Sequence, residues 1–125
     1  MKTVYKLVSV DSDVSLHSLI VTGKLRLTYA VGKWTKPEIG KILAFGTLDS
    51  AKNFYQGWGH CKIFLCEAVG VGPKRWLYNT HNLYLLRRFW SRSDVEIDHR
   101  RMDKNISPDG TVACSRLKLV REIVL

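Results

Sequence analysis

No stretch of this chain is apolar for the roughly 18 residues that a membrane-spanning helix needs. Its first residues, MKTVYKLVSVDSD, lack the continuous apolar core of a signal peptide, so the protein is expected in the cytoplasm. Catalytic signatures are missing as well: no HExxH, CxxC, GxSxG or GxGxxG pattern occurs. Their absence points away from the commonest zinc, thiol, hydrolase and dinucleotide sites, and no metal or cofactor is expected. Cysteines number three, too odd a set to pair internally, and in a reducing compartment they read as free and buried. Cys61 and Cys66 lie five apart on an expected strand and so face opposite sides of it, which disqualifies them as a metal pair. Cys114 reads as a small core hydrophobe. No internal repeat or low-complexity tract is present.

Acidic residues are also scarce, 11 against 20 Lys and Arg, for a net charge of +9. Such an excess attracts anions: nucleic acid, a nucleotide or an acidic protein surface. The remaining composition, 46% hydrophobic and 25% charged, is that of an ordinary globular chain. At 125 residues it is expected to form one compact domain, 1–125, able to bury roughly two-thirds of its unfolded surface.

Along the chain, Thr3 to Val10 is rich in β-formers and reads as a strand, closed by Asp11-Ser12-Asp13. Val14 to Val21 is ambiguous: Leu16, Leu19 and Ile20 fall at helical spacing, yet an irregular strand also fits. Leu25, Leu27, Tyr29 and Val31 alternate with Arg26 and Thr28 as in a half-buried strand. Gly32 to Gly40 reads as a loop around Pro37. Ile42 to Phe45 is a short buried strand. Thr47 caps a helix with Asp49 in its first turn and Leu48, Ala51, Phe54, Tyr55 and Trp58 as its apolar stripe. Cys61 to Val69, apolar on both faces, suits a central strand. Gly70 to Pro73 reads as a second loop and Asn82 to Ser91 as a second helix. Arg92 to Asn105 is charged and aperiodic, and Ser107-Pro108-Asp109-Gly110 is a turn. In the last strand, Thr111 to Val124, the apolar set shifts from Val112 and Cys114 to Leu117, Leu119 and Ile123, a change of parity that predicts a bulge near Ser115. The fold class expected is α+β: a mixed, mostly antiparallel sheet with two or three short helices packed on it.

Three constellations carry candidate chemistry. On the Asn82–Arg92 helix, Arg87, Arg88 and Tyr84 share a face, and arginine forks beside an aromatic suit phosphate contact and base stacking. The glycine loop Gly70-Val71-Gly72-Pro73 leads into Lys74 and Arg75, which would neutralise a phosphate near exposed backbone donors. Trp34 sits among Lys33, Lys36 and Lys41 and offers an indole for stacking. The histidines are scattered. His60 and Cys61 are adjacent on a strand and point apart, and His17, His81 and His99 have no partner set that would make a triad. Glu67 is the one carboxylate placed at a strand end where an active site would use it.

The spacing of Tyr5-Lys6, Tyr29 to Gly32, Trp34-Thr35 and Pro37 continues through Leu43-Ala44-Phe45, Thr47-Leu48, Ala51 and Phe54. With Cys66-Glu67-Ala68, Trp90 and the segment GTVACSRLKL from Gly110, it resembles a family of small single-domain proteins of bacteriophages and bacteria. That family has no established activity. The resemblance covers most of the chain and implies a shared fold and, if the protein is phage-encoded, the host-cell cytoplasm as its location.

These readings converge on a non-catalytic domain that binds nucleic acid or a nucleotide. Arg87, Arg88 and Arg92 would contact phosphates, Tyr84 and Trp34 would stack, and Lys74 and Arg75 would contribute from the glycine loop. An alternative is a phage-encoded protein that binds and inhibits a host protein through Arg92 to Asn105. A third is a nucleotide-modifying enzyme resembling an ADP-ribosyltransferase, built on Tyr29, His60 and Glu67.

Overall fold

Lys2–Val10 (β1) and Cys61–Val69 (β6), both rich in apolar β-formers, pair antiparallel from Lys2 opposite Ala68 to Ser9 opposite Cys61. Val4, Lys6 and Val8 thereby share one face with Phe64, Cys66 and Ala68. Tyr5 and Leu7 share the other with Cys61 and Ile63. These positions come from a computed structural model, which describes residues 1–11, 15–18, 27–37, 40–55, 61–73, 76–78, 104–106 and 110–124.

The remaining elements follow in chain order. Leu16–Ser18 is β2, Thr28–Tyr29 β3, Trp34–Thr35 β4 and Ile42–Phe45 β5. Leu48–Tyr55 is α1, Gly72–Pro73 β7, Trp76–Tyr78 β8, Lys104–Ile106 β9, Thr111–Cys114 β10 and Arg116–Ile123 β11. The main sheet runs β4-β11-β6-β1-β5-β10-β7, with β2 on β1 and β3 on β2; β8 and β9 form a separate antiparallel pair.

Only Ser115 separates β10 from β11, so the two are halves of one bent strand. The first half pairs β5, with Cys114 opposite Ile42, and the second pairs β6, with Leu117 opposite Ala68. Since β1 touches β6 along its length and β5 at Tyr5 opposite Phe45, the sheet curls back on itself. At the bend the Ser115 amide donates to the Val69 carbonyl at 2.8 Å. The apolar parity changes at this residue: Val112 and Cys114 precede it on the inner face, Leu117 and Leu119 follow. A register shift lies further on, between Leu119 and Arg121.

The inner face encloses Val4, Val8, Tyr29, Ile42, Ala44, Phe64, Cys66, Cys114, Leu117 and Leu119. Leu117 and Leu119 are 0% and 1% exposed, and burial of each stabilises the fold by roughly 1.5–3 kcal/mol. Helix α1 covers one part of the outer face, packing Ala51 and Phe54 with Leu7, Phe45, Cys61 and Ile63. The Phe45 and Phe54 rings lie 5.4 Å apart between centroids. Thr47 caps the helix, its Oγ1 accepting from the Ser50 amide at 3.2 Å.

The fold class expected from sequence is corrected by this topology. The protein is mainly β; every strand pairing among the described residues is antiparallel, and α1 is their single helix rather than one of two or three. Within the ambiguous segment, Leu16–Ser18 is a strand, because pairing with β1 outweighs a helical spacing too short to nucleate alone. Both glycine-rich loops contain two-residue strands: β4 pairs β11 and β7 pairs β10. Val31, expected on the buried face of its strand, is 53% exposed. The second expected helix, Asn82 to Ser91, and the end of the first at Trp58 lie outside the described residues. Among the described residues no helix is long and apolar enough to cross a membrane.

Candidate nucleic-acid interface

On the outer face, away from the part that α1 covers, β1, β6, β11 and β4 lie side by side. Thr3, Glu67, Lys118 and Trp34 form one row across these four strands, each directly opposite the next. Their neighbours along the strands, Val4, Cys66, Ala68, Leu117 and Leu119, are buried on the inner face, so the row points outward. Arg116, opposite Val69, begins the adjacent row.

Trp34 is the centre of this surface. It is 39% exposed, with the Arg116 guanidinium 5.0 Å and the Lys118 ammonium 5.2 Å from its ring centroid. Both cations lie over the ring within range of attraction to the indole π-system. Lys118 Nζ also meets Glu67 Oε2 at 3.2 Å, with both side chains half-buried. Lys33 and Lys36 flank β4 and are exposed. The arrangement presents an aromatic surface held between positive charges on a sheet, with one carboxylate at its side.

The inner face contains a second unusual group. Lys6 has the parity of Val4 and Val8, and its Nζ donates to the Leu43 carbonyl at 2.5 Å, 6.0 Å from the Tyr29 ring centroid. Burial pushes this ammonium down from 10.5 to about 8, and the nearby Cys66 and Cys114 act in the opposite direction. Burial likewise pushes the Cys66 thiol up to about 12 and the Cys114 thiol up to about 11. Cys66 Sγ donates to the Phe64 carbonyl at 3.3 Å. Both thiols are therefore neutral and unreactive near pH 7.

Of the site residues expected from sequence, Trp34 lies in the described structure. Arg87, Arg88, Arg92, Tyr84, Lys74 and Arg75 lie outside it, as do His60, His81, His99 and most of Arg92 to Asn105. Trp34 belongs to an edge strand rather than a loop. Arg116 and Lys118, the cations nearest its ring among the described residues, are not among the site residues expected from sequence. Their signal was the alternation Arg116, Lys118 against Leu117, Leu119, which puts both on one polar face. Tyr29 and Glu67 are not brought together: Tyr29 is in the inner core, and Glu67 is on the outer face. Among the described residues no three His, Cys, Asp or Glu side chains converge as metal ligands. Cys61 and Cys66 sit in different cores on opposite faces of β6. Comparison with known protein families, curated proteins and solved structures gives no match.

Proposed function

We propose that the protein binds single-stranded nucleic acid without catalysis, using Trp34 as a stacking surface and Arg116, Lys118, Lys33 and Lys36 as phosphate contacts. The observation that carries this reading is the exposed indole with two cations within 5.2 Å of its centroid on the outer sheet face. Indole stacking on unpaired bases and cations that follow the backbone are the combination used by sequence-tolerant single-strand binders. The net charge of +9 favours encounter with a polyanion. Arg87, Arg88, Arg92, Tyr84, Lys74 and Arg75 are proposed as further contacts on their sequence pattern.

Titration of a labelled oligonucleotide by fluorescence anisotropy at several salt concentrations tests this reading. Affinity is expected to fall steeply with salt, and Trp34→Ala to weaken binding by about 1–3 kcal/mol. Arg116→Ala is expected to reduce the salt slope by roughly 0.7, the share of one phosphate contact on a single strand. Affinity unchanged by both substitutions would remove the assignment.

A further inference from the structure

We infer that the single strand runs lengthwise over β11, and that Arg121 is a further phosphate contact in line with Arg116 and Lys118. The inference rests on the reading of this face as a nucleic-acid interface and adds to it a path and a residue. The observation behind it is the register shift between Leu119 and Arg121. Leu117 and Leu119 are buried on the inner face, so unbroken alternation would turn Arg121 inward as well. Val120 is instead passed over as the extra residue of a bulge, and Arg121 lies opposite Leu65. Leu65 has the outward parity of Ile63 and Glu67. Ile123, two residues after Arg121, packs against the core under α1 that contains Ile63. Arg121 therefore points outward, and it is exposed.

The bulge also spaces the cations evenly. Arg116, Lys118 and Arg121 lie opposite Val69, Glu67 and Leu65, every second residue of β6. Two residues of strand advance about 7 Å. Consecutive phosphates of one nucleic-acid strand are roughly as far apart, the rise of about 3.4 Å per nucleotide in a duplex being only the axial part of a winding backbone. One phosphate per cation follows, with the bound strand keeping the direction of β11 and Trp34 at its flank on β4. Glu122, next to Arg121 in the chain, lies opposite the inward-facing Phe64 and meets Lys62 at 3.0 Å. Among the described residues Arg121 takes part in no ion pair. Glu67 takes one of the three donors of the Lys118 ammonium at 3.2 Å. It stands on β6, beside the line, and its charge holds down the affinity of the middle position for a phosphate.

The test uses the full chain and labelled thymidine octamers, whose nucleosides are joined by seven phosphates. In two of them three consecutive phosphates are replaced by uncharged methylphosphonates, at the centre in one and at an end in the other. Both carry the same charge, but only the end-modified octamer keeps a run of three phosphates for β11. It is expected to bind several-fold more tightly than the centre-modified one, a readout independent of any variant's folding. Equal binding of the two would overturn the path. Arg121→Ala should lower the salt slope for the unmodified octamer by roughly 0.7, whereas Lys52→Ala, which removes an exposed cation of α1, should leave it unchanged. Glu67→Gln should tighten binding several-fold, a gain that unfolding cannot produce. An Arg121→Ala slope equal to wild type, or a Lys52→Ala loss as large as that of Arg121→Ala, would overturn the path. The stacking surface would still stand if Trp34→Ala weakened binding. No binding to the unmodified octamer, or binding indifferent to Trp34→Ala and Arg116→Ala alike, would overturn the interface and this inference with it.

Discussion

Lys6 costs the fold stability while it is charged, because its ammonium has left water for an inner face with one carbonyl partner. Its folded value of about 8 lies below its ordinary 10.5, so between these the unfolded chain holds more protons and stability rises with pH. Cys66 and Cys114 act in the opposite sense. Folded, they keep their protons to about 12 and 11. Unfolded, they lose them above 9.0, and stability falls beyond that point. The expected profile, measured by urea unfolding, climbs by roughly half a kcal/mol between pH 7 and 9, the Lys6 gain being partly offset by the two thiols, and then declines. Lys6→Met, of similar length and without charge, should be more stable at pH 7 and lack the rising limb. A wild-type profile that falls from pH 7 to 9, as the thiols alone would make it, would show that Lys6 is not desolvated.

Nothing at the residue level of the sequence distinguishes Lys6 from the other lysines. Its parity with Val4 and Val8 places it inward only once the register of β1 is known. Trp34 is the converse case. An aromatic among cations is visible in sequence, but among the described residues the cations over its ring are Arg116 and Lys118, some eighty positions away, and not Lys33 or Lys36 beside it.

Among the elements, β1, β5, α1 and β6 were legible because each carries its own signal: β-rich or doubly apolar runs, or a capped amphipathic stripe. Strands β4 and β7 were not, since two residues have no period, and both exist through partners on β10 and β11. Gly70 illustrates how tightly these junctions are built. Its φ of +69° is in the left-handed region, and a Cβ there would press on the Ser115 side chain at the bend between β10 and β11. Gly70→Ala should therefore destabilise the protein by more than about 1 kcal/mol. The double variant with Ser115→Gly should recover part of that loss by relieving the clash but not the backbone strain. Thermal melts of the two variants separate these contributions, and a Gly70→Ala protein as stable as wild type would rule out the close approach.

The molecule as a whole depends on one late segment meeting two early ones. β10 and β11 bond β5 and β6, and together supply Cys114, Leu117 and Leu119 to the inner core. Contacts of such long sequence separation predict folding in milliseconds to seconds rather than microseconds. They also predict that a chain stopped before Thr111 stays open along two strand edges and loses most of its protection against amide hydrogen exchange. A synthetic peptide covering 110–124, added in excess, should restore that protection in β5 and β6. Exchange rates in β5 and β6 that are native-like without the peptide would contradict this. The bent strand at Ser115 thus makes the protein a natural two-piece assembly: a receptive shell and a single separable stave that completes it.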